Sequence, residues 1–284
     1  MSIPAKVGLV ILVIIVILLV SFAISYITFG RKVAGEVEEL FKKMTETKPE
    51  VVTERDLEGL PQPVQRYLRY TQIIGKEKGT TVRLKQKGFI RTKGDQGWMS
   101  FSAKQYYRAD YPAFIWCGSV KLFSLPLMRV RDKFYEGKGN MLIRLLPFIT
   151  IADATGDEID QGTLVRYFNE MMWFPTAYLN EYIQWEPIDS GSAKATISWQ
   201  GLSTSALFYF DDKGALTNFV AERYMTVDDG YSLERWSTPI TEYREINGMM
   251  LPTKGEGVWN LNSGDFSYIR VEIIDIEYNN PSEY

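Results

Sequence analysis

The chain carries a long apolar run close to its N-terminus. From Val7 to Phe29 no side chain is charged, and 17 of the 23 residues are Leu, Ile, Val or Phe. As an α-helix this run measures about 34 Å, which exceeds the hydrocarbon core of a bilayer at roughly 30 Å. Each of these apolar side chains favours insertion by about 0.3–0.6 kcal/mol near the helix centre. The run therefore predicts a single transmembrane helix over residues 7–29, preceded by a flank of residues 1–6.

A cleaved signal peptide is the alternative interpretation of the same run. Ser21-Phe22-Ala23 has the small-x-small pattern of a signal-peptidase site. The apolar residues continue to Phe29, however, and a cleavable signal does not need them, so we favour an uncleaved anchor. By the positive-inside rule, Arg31 and Lys32 favour a cytoplasmic position for the domain that follows them. A short flank before a large domain, however, is the usual form of a signal anchor whose domain faces outward. We expect a single-pass protein of the cell membrane with an extracytoplasmic domain.

Two residue types are nearly missing from the chain. The absence of histidine excludes a Ser-His-Asp triad, a Cys-His dyad and a His-ligated metal site. The one cysteine, Cys117, allows neither an intramolecular disulfide nor a thiolate cluster, and we interpret it as a buried, unreactive thiol. The net charge of −3 comes without a long basic run, so nucleic acid is not an expected partner. We expect no cofactor and no metal, and we favour a non-enzymatic role.

The residues after the apolar run predict one β-rich domain. Apolar and polar residues alternate between Thr81 and Leu146 and again between Ile183 and Tyr278, and short turns such as Asn247-Gly248 interrupt them. This pattern predicts about a dozen antiparallel strands, one of them unbroken over residues 232–246. We predict an α+β fold, in which a large curved antiparallel sheet forms a half-open barrel with two or three helices on its concave side. Residues 30–59 are predicted as a juxtamembrane helix and linker, and residues 60–284 as a single domain.

Charged residues around the predicted central helix are candidates for chemistry. The acidic residues between Asp153 and Asp160 lack the spacing of an EF-hand loop, so we interpret them as helix-capping residues rather than metal ligands. Arg166 and Glu170 are four residues apart, which predicts an ion pair on one helix face. Glu170 is also a candidate general acid or base, because the nearby Trp173 would desolvate it.

The chain is rich in large aromatic side chains, at 14% of all residues. Ordinary core packing is one explanation, and a ligand cavity is the other. A curved sheet with helices laid across its concave side encloses apolar volume, and such spaces bind small apolar ligands. We predict a hydrophobic ligand-binding cavity lined by Trp116, Phe134, Trp173 and Phe174.

Four motifs resemble an uncharacterised prokaryotic family of unknown function. They are LPxPVxRYL at Leu60–Leu68, DATG at Asp153–Gly156, RYxxExxWFPTA at Arg166–Ala177, and YREINGxxLPT at Tyr243–Thr253. The resemblance extends from Leu60 to Tyr278 and implies no activity, so no residue inherits a catalytic role. More loosely, the layout is similar to the lipoprotein-carrier (LolA/LolB-like) class of half-open barrels, which hold acyl chains under a helical lid. That similarity implies a lipid or lipoprotein as partner, in addition to the membrane.

Three functional hypotheses follow from these patterns. The first is a membrane-anchored domain that binds a lipid, another apolar ligand or a lipoprotein in the concavity of the sheet. The alternative is a non-enzymatic scaffold of an envelope complex, which a fully packed interior would favour. The third is an enzyme that uses carboxylates alone, such as Glu170 with Asp157, and it requires the two acids to converge.

Overall fold

One antiparallel sheet dominates the fold. The computed structural model describes residues 3–42, 50–146 and 149–284, and within these ranges fourteen strands belong to a single sheet. The strands are β1 (Thr81–Ile90), β2 (Met99–Arg108), β3 (Ala113–Leu122), β4 (Leu125–Tyr135), β5 (Lys138–Leu145), β6 (Ile149–Ala154), β7 (Ile183–Pro187), β8 (Ser192–Trp199), β9 (Leu202–Phe210), β10 (Leu216–Val227), β11 (Gly230–Ser237), β12 (Ile240–Ile246), β13 (Met249–Leu261) and β14 (Gly264–Tyr278). They follow the order β6-β5-β4-β3-β2-β1-β14-β13-β11-β10-β9-β8-β7, and β12 pairs with β13. The predicted α+β fold with a curled half-barrel is confirmed.

Two helices lie against the concave face of this sheet. They are α2 (Gln62–Tyr70) and α3 (Asp157–Glu170), which follow the N-terminal helix α1 (Ile3–Lys42). Tyr67 of α2 and Phe168 of α3 share one buried cluster with Phe114 on the inner face of β3. Three short 3-10 segments complete the helical structure of the described ranges: Glu54–Leu57, Met171–Trp173 and Pro175–Leu179.

Helix α1 is continuous over 40 residues, without a break at Gly30. Its second half packs on the convex face of the sheet, where Val33 and Val37 join a second buried cluster with Ile115. Phe29, which the sequence predicts to lie in the membrane, is only 2% exposed and belongs to the same cluster. The predicted juxtamembrane helix is thus the continuation of α1, and residues 43–49 of that predicted segment lie outside the described residues.

Two basic side chains of β4 form ion pairs with α1 and hold it on the convex face of the sheet. Glu36 pairs with the Arg131 Nε atom at 3.1 Å and with the Lys133 Nζ atom at 3.4 Å. Both partners project outward because successive strand residues point to opposite faces. The outward-facing side chains of β4 therefore contact α1, whereas the inward-facing side chains of β4 face α3.

The strands of the sheet terminate at two opposite ends of the molecule, which we call the helix-entry end and the far end. At the helix-entry end lie the β1–β2, β3–β4 and β13–β14 turns, and α1 reaches the domain there, with Phe22 and Tyr26 beside Leu127 and Leu146. The far end carries the β2–β3, β4–β5 and β9–β10 turns. At the far end, Arg108 contacts the last turn of α1. The Arg108 Nη1 atom donates a hydrogen bond to the Leu40 carbonyl oxygen at 3.3 Å.

Two details of the strand prediction are wrong. Residues 232–246 form two strands rather than one, because Pro239 has no N–H to continue the ladder and the chain crosses from β11 to β12 at that point. Strand β6 is absent from the prediction, because its acidic end at Asp153 resembles the start of a helix.

Candidate functional site

A cavity of about 260 Å³ lies between the inner face of the sheet and the C-terminal turn of α3. Its wall is mostly apolar, and methionine and aliphatic side chains from four strands supply much of it: Met99, Met128, Val130, Met141, Ile143 and Ile269. Methionine is flexible and polarisable, so a wall of this kind adapts to apolar ligands of different shape. The cavity can therefore hold an apolar group away from water.

The cavity is closed at α3 and opens toward the helix-entry end. Glu170 and Trp173, at the closed end, are each 6% exposed. Lining residues near the strand termini are more accessible, because Met99 and Met128 are half-buried and Thr92 is exposed. The mouth of the cavity thus lies at the same end of the sheet as the entry of α1.

Two of the four predicted cavity residues border this space. Trp116 and Trp173 both lie on its wall. The Trp116 Nε1–H donates to the Gln86 Oε1 atom at 2.8 Å, and the Trp173 Nε1–H donates to the Pro252 carbonyl at 3.1 Å. Since both indole N–H groups are satisfied within the protein, the two rings offer apolar surface to a ligand. Their role in binding stays a prediction.

Phe134 and Phe174 do not border the cavity. Phe134 is completely buried and pairs with Phe114 near the far end of the sheet, beneath α3. Phe174 packs on the rings of Tyr107 and Tyr167, with centroid distances of 4.9 Å and 5.8 Å. For Phe134, the alternation of β4 identifies the face on which the residue lies, but not whether a helix covers that part of the face. Phe174 lies outside the strands, between the 3-10 segments Met171–Trp173 and Pro175–Leu179, where no alternation indicates its direction.

Arg166 bridges two acids at the closed end of the cavity. Its Nε atom donates to the Glu170 Oε1 atom at 2.9 Å, and its Nη1 atom donates to the Asp132 Oδ2 atom at 2.6 Å. The predicted pair between Arg166 and Glu170 is therefore present. Burial alone would lower the pKa of the Arg166 guanidinium, but the two carboxylates outweigh burial and raise that pKa above its ordinary value.

A hydrogen-bonded chain extends from Glu170 to the cavity wall. The Glu170 Oε2 atom accepts from the Gln105 Nε2 atom at 2.7 Å and from the Tyr107 hydroxyl at 3.0 Å. Gln86 in turn donates to the Gln105 Oε1 atom at 3.2 Å and accepts from Trp116. Burial raises the pKa of the Tyr107 hydroxyl well above its ordinary value, and the negative charge of Glu170 adds to the rise. This series of hydrogen bonds, which starts at Glu170, fixes the orientation of the Trp116 ring.

One buried acceptor at the closed end is unused. Asp132 is 6% exposed and lines the cavity, and its Oδ1 atom has no hydrogen-bond partner among the described residues. A buried acceptor without a donor carries an unfavourable desolvation energy that a bound donor would remove. A hydroxyl or amide N–H on a ligand could satisfy it.

A close contact between α3 and β5 sets the position of the closed end. The backbone N–H of Gly139 donates to the Asp160 Oδ1 atom at 2.6 Å. A Cβ atom at Gly139 would lie 2.4 Å from the Thr163 hydroxyl oxygen, so only glycine allows α3 to approach this closely. The acidic residues do lie at the start of α3, with Asp157, Glu158 and Asp160 in its first turn, but their interpretation as side-chain caps is wrong, because the N-cap is Gly156 and makes no side-chain cap bond.

The two acids of the carboxylate-enzyme hypothesis do not converge. Asp157 and Glu170 are the first and last residues of α3, which puts them about 20 Å apart along the helix axis. Within the described ranges, no three His, Cys, Asp or Glu side chains gather at a point suited to a metal ion.

The sequence contains a signal for the polar chain that the prediction did not use. Gln86 and Gln105 occupy inward positions of strands whose other inward residues are apolar, for example Leu84. Polar residues at inward positions indicate a buried network or a site, because burial requires partners for them.

Three solved structures are similar to the chain at low sequence identity. A DUF1329 family protein from Desulfovibrio piger is 10% identical, with a TM-score of 0.44 over 76% of this chain and 92% of that one. A domain described as outer membrane lipoprotein-sorting from Vibrio parahaemolyticus is 7% identical, with a TM-score of 0.41 over 72% and 87%. A LolA superfamily protein from Nitrosomonas europaea is 9% identical, with a TM-score of 0.41 over 78% and 94%.

None of the curated proteins compared with the chain matches it. A family model does match: it is described as a family of unknown function (DUF6544), and it covers residues 50–271, which is well over half of the chain. All four motifs quoted above fall within this range. The chain therefore belongs to the DUF6544 family.

Proposed function

We propose that this protein is a membrane-anchored domain that binds an uncharged, lipid-class ligand in the cavity beneath α3. The observation that carries the proposal is the cavity itself, an apolar space of about 260 Å³ with a buried polar group at its closed end. A scaffold with a fully packed interior would have no such space, so the cavity favours ligand binding over the scaffold alternative.

The size of the cavity limits the ligand to one small molecule or one chain. Pockets for small molecules measure roughly 300–1,000 Å³, and this cavity lies just below that range. It suits a single acyl chain or a comparable apolar group, whereas a lipoprotein would have to insert only a part of itself.

The charges on the concave side favour a ligand without net charge. The cavity lining contains three acidic side chains, Asp132, Glu170 and Glu256, and three basic ones, Arg166, Arg223 and Lys254. Because these charges cancel, an anionic head group would gain no net attraction there. The unused Asp132 Oδ1 atom favours a hydroxyl or another hydrogen-bond donor at the buried end of the ligand.

Helix α1 supports the anchoring part of the proposal. Among the described residues it is the helix long and apolar enough to cross a membrane. Because Phe29 is buried against the domain, the proposed span lies earlier than the predicted residues 7–29. The 19 residues from Ile3 to Ser21 precede the first contact of α1 with the domain at Phe22 and span about 28 Å, close to the bilayer core of roughly 30 Å. Lys6 lies near the outer end of this span, where a lysine side chain reaches the membrane interface.

Native mass spectrometry with lipid extraction tests the proposal on the full chain purified in mild detergent. Met128→Trp adds a large ring to the cavity wall, while Ile274→Trp adds the same ring to an exposed site on the sheet. We expect a stoichiometric lipid-class molecule on the wild type and on Ile274→Trp, and an occupancy lower by about tenfold or more on Met128→Trp. An empty wild type after exposure to membrane lipids, or equal occupancy in both variants, would contradict the proposal.

A further inference from the structure

Apolar side chains at the helix-entry end point into solvent beside the entry of α1. Phe123 and Leu125, at the tip of the β3–β4 hairpin, are 96% and 57% exposed. Ile149 and Ile151, on the neighbouring edge strand β6, are 44% and 54% exposed. Scattered exposed apolar residues are common, but a group at one edge marks an interaction surface. We call these four residues the apolar rim.

The conformation of the hairpin tip is not explained by packing within the protein. Phe123 and Ser124 both adopt the left-handed conformation, with φ angles of 50° and 67°. Two-residue hairpin loops of this kind favour asparagine and glycine. A phenylalanine in this position contributes neither to the turn nor to the core. Its large apolar surface is instead presented outward.

The apolar rim lies at the level where the proposed membrane span ends. Pro126 and Leu127, which follow Leu125 on β4, form a small crevice with Phe22 and Tyr26 of α1. The proposed span ends at Ser21, one residue before this crevice. The apolar rim would therefore lie beside the lipid surface.

Basic residues occupy the same level on the convex face. The Arg129 guanidinium lies 4.6 Å from the ring centre of Tyr26 and 5.1 Å from that of Phe29. Arg144 lies 5.8 Å from the Phe29 ring centre. Aromatic rings with neighbouring cations are typical of the membrane interface, where rings meet the acyl boundary and cations meet phosphates.

We propose that the helix-entry end of the domain rests on the bilayer, with the apolar rim inserted at its interface. Because the cavity opens at this end, its mouth then faces the membrane, and the ligand passes between bilayer and cavity without crossing water. The proposed occupant of the rim is the lipid surface itself. This inference rests on the proposed function, since it requires α1 to span the membrane.

Fluorescence quenching on the full chain in lipid vesicles tests the contact. Single cysteines at Val13, Phe123 and Asp212, in a Cys117→Ala background, carry an environment-sensitive fluorophore. The vesicles contain phosphatidylethanolamine and phosphatidylglycerol, with spin-labelled acyl chains as quencher. Asp212 is exposed in the β9–β10 turn at the far end and serves as the control.

We expect strong quenching at Val13 and Phe123 and little at Asp212. Equal, weak quenching at Phe123 and Asp212 with strong quenching at Val13 would overturn the inference while leaving the anchor intact. Weak quenching at Val13 would overturn the anchoring proposal, and the inference with it. The two failures are therefore distinguishable.

The entry route has a second test that needs no label on the protein. Phe123→Ser/Leu125→Ser removes the two hairpin side chains of the apolar rim, and the control Ile188→Ser/Ile274→Ser removes two apolar side chains elsewhere that are 52% and 48% exposed. The measurement is the rate at which a fluorescent fatty alcohol moves from vesicles to the reconstituted protein, together with its final occupancy. We expect the first variant to slow transfer by about fivefold or more at unchanged occupancy. Equal rates in the two variants would overturn direct transfer.

Discussion

Arg166 is the residue on which the closed end of the cavity most depends. It projects from α3, is largely buried, and supplies the positive charge for both Glu170 and Asp132. Removal of one member of a buried ion network leaves the remaining charges without compensation, which costs more than the network itself contributes. The same side chain lies 5.1 Å from the ring centre of Trp116, so it also supports the cavity wall.

Arg166→Met is therefore expected to lower the free energy of unfolding by about 3–5 kcal/mol, since two buried carboxylates lose their cation. Urea denaturation of the full chain measures the change. The control is Arg55→Met, at an exposed arginine, which should remain within about 0.5 kcal/mol of the wild type. A loss of less than about 1 kcal/mol for Arg166→Met would contradict the role of the network.

Gly118 holds space for the cavity tryptophan. A Cβ atom at this position would lie 2.3 Å from the Trp116 ring. Gly118→Ala should displace the ring, break its hydrogen bond to Gln86, and destabilise the fold by about 1–3 kcal/mol with weaker ligand binding. Gly35→Ala is the control, because a Cβ atom there has nothing within 4 Å and alanine favours the helix. Unchanged stability and binding in Gly118→Ala would show that Trp116 does not need this space.

Local spacing predicts some residue contacts at the site and misses others. The Arg166–Glu170 pair follows from two positions one helical turn apart. The contact with Asp132 joins residues 34 positions apart in sequence, and it depends on how α3 crosses β4. Such a crossing is set by tertiary packing, which the periodicity of single elements does not record. Phe134 and Phe174 illustrate the same limit, since their apolar character fits a core and a cavity equally well.

At the scale of elements, α1 has two chemically different halves that form one helix. The first half is exposed and apolar, and the second half is buried on the convex face. The change in composition at Gly30 looks like a boundary in the sequence, but glycine is tolerated within a helix at a cost of about 1 kcal/mol. Hydrogen bonding therefore continues through it to Lys42.

Val37→Asp tests whether packing holds the second half of α1 in place. Val37 is 1% exposed, so a carboxylate at this position would be buried without a partner. We expect faster amide hydrogen exchange in residues 29–41, by about tenfold or more, while the strands of the sheet keep their protection. Glu38→Ala, at an exposed neighbour, should leave exchange unchanged. Unaltered exchange in the Val37→Asp helix would contradict the packing role.

Turn chemistry made most of the strands predictable. Asn247 and Gly248 have φ angles of 54° and 69°, as expected for a two-residue hairpin turn, and they join β12 to β13. The strands that were misassigned have ambiguous signals. Pro239 is one residue in an otherwise alternating run, and β6 is a short edge strand whose last residues are acidic.

At the scale of the whole molecule, tyrosine dominates the ionisable interior. Burial raises the pKa of Tyr106 to about 12 and the pKa values of Tyr107, Tyr167 and Tyr178 well above their ordinary value. The folded state therefore keeps phenolic protons that the unfolded chain releases above pH 10.0. The stability that these groups contribute is complete below that pH and is lost as the pH rises toward the folded pKa values.

At low pH, the dependence of stability on pH has the opposite sign. Hydrogen bonds from Thr53 hold the pKa of the Asp56 carboxyl below its ordinary value, so its contribution is present above pH 3.8 and is lost as the pH falls through the folded pKa. Because the chain has no histidine, we expect a nearly constant urea midpoint between about pH 6 and pH 8.5, with a steep fall above about pH 10. A midpoint that changes strongly between about pH 6 and pH 8 would contradict this account.

The central claim concerns what enters the cavity, and methyl NMR of the methionines tests it most directly. The full chain, labelled at methionine methyl groups and held in nanodiscs, is titrated with a medium-chain fatty alcohol. Met99, Met128, Met141 and Met172 line the cavity, whereas Met225 and Met250 lie outside it. We predict saturable chemical-shift changes at the four cavity methyl groups and none at the other two. No shifts at the cavity methionines, or shifts confined to Met225 and Met250, would contradict ligand binding in this cavity.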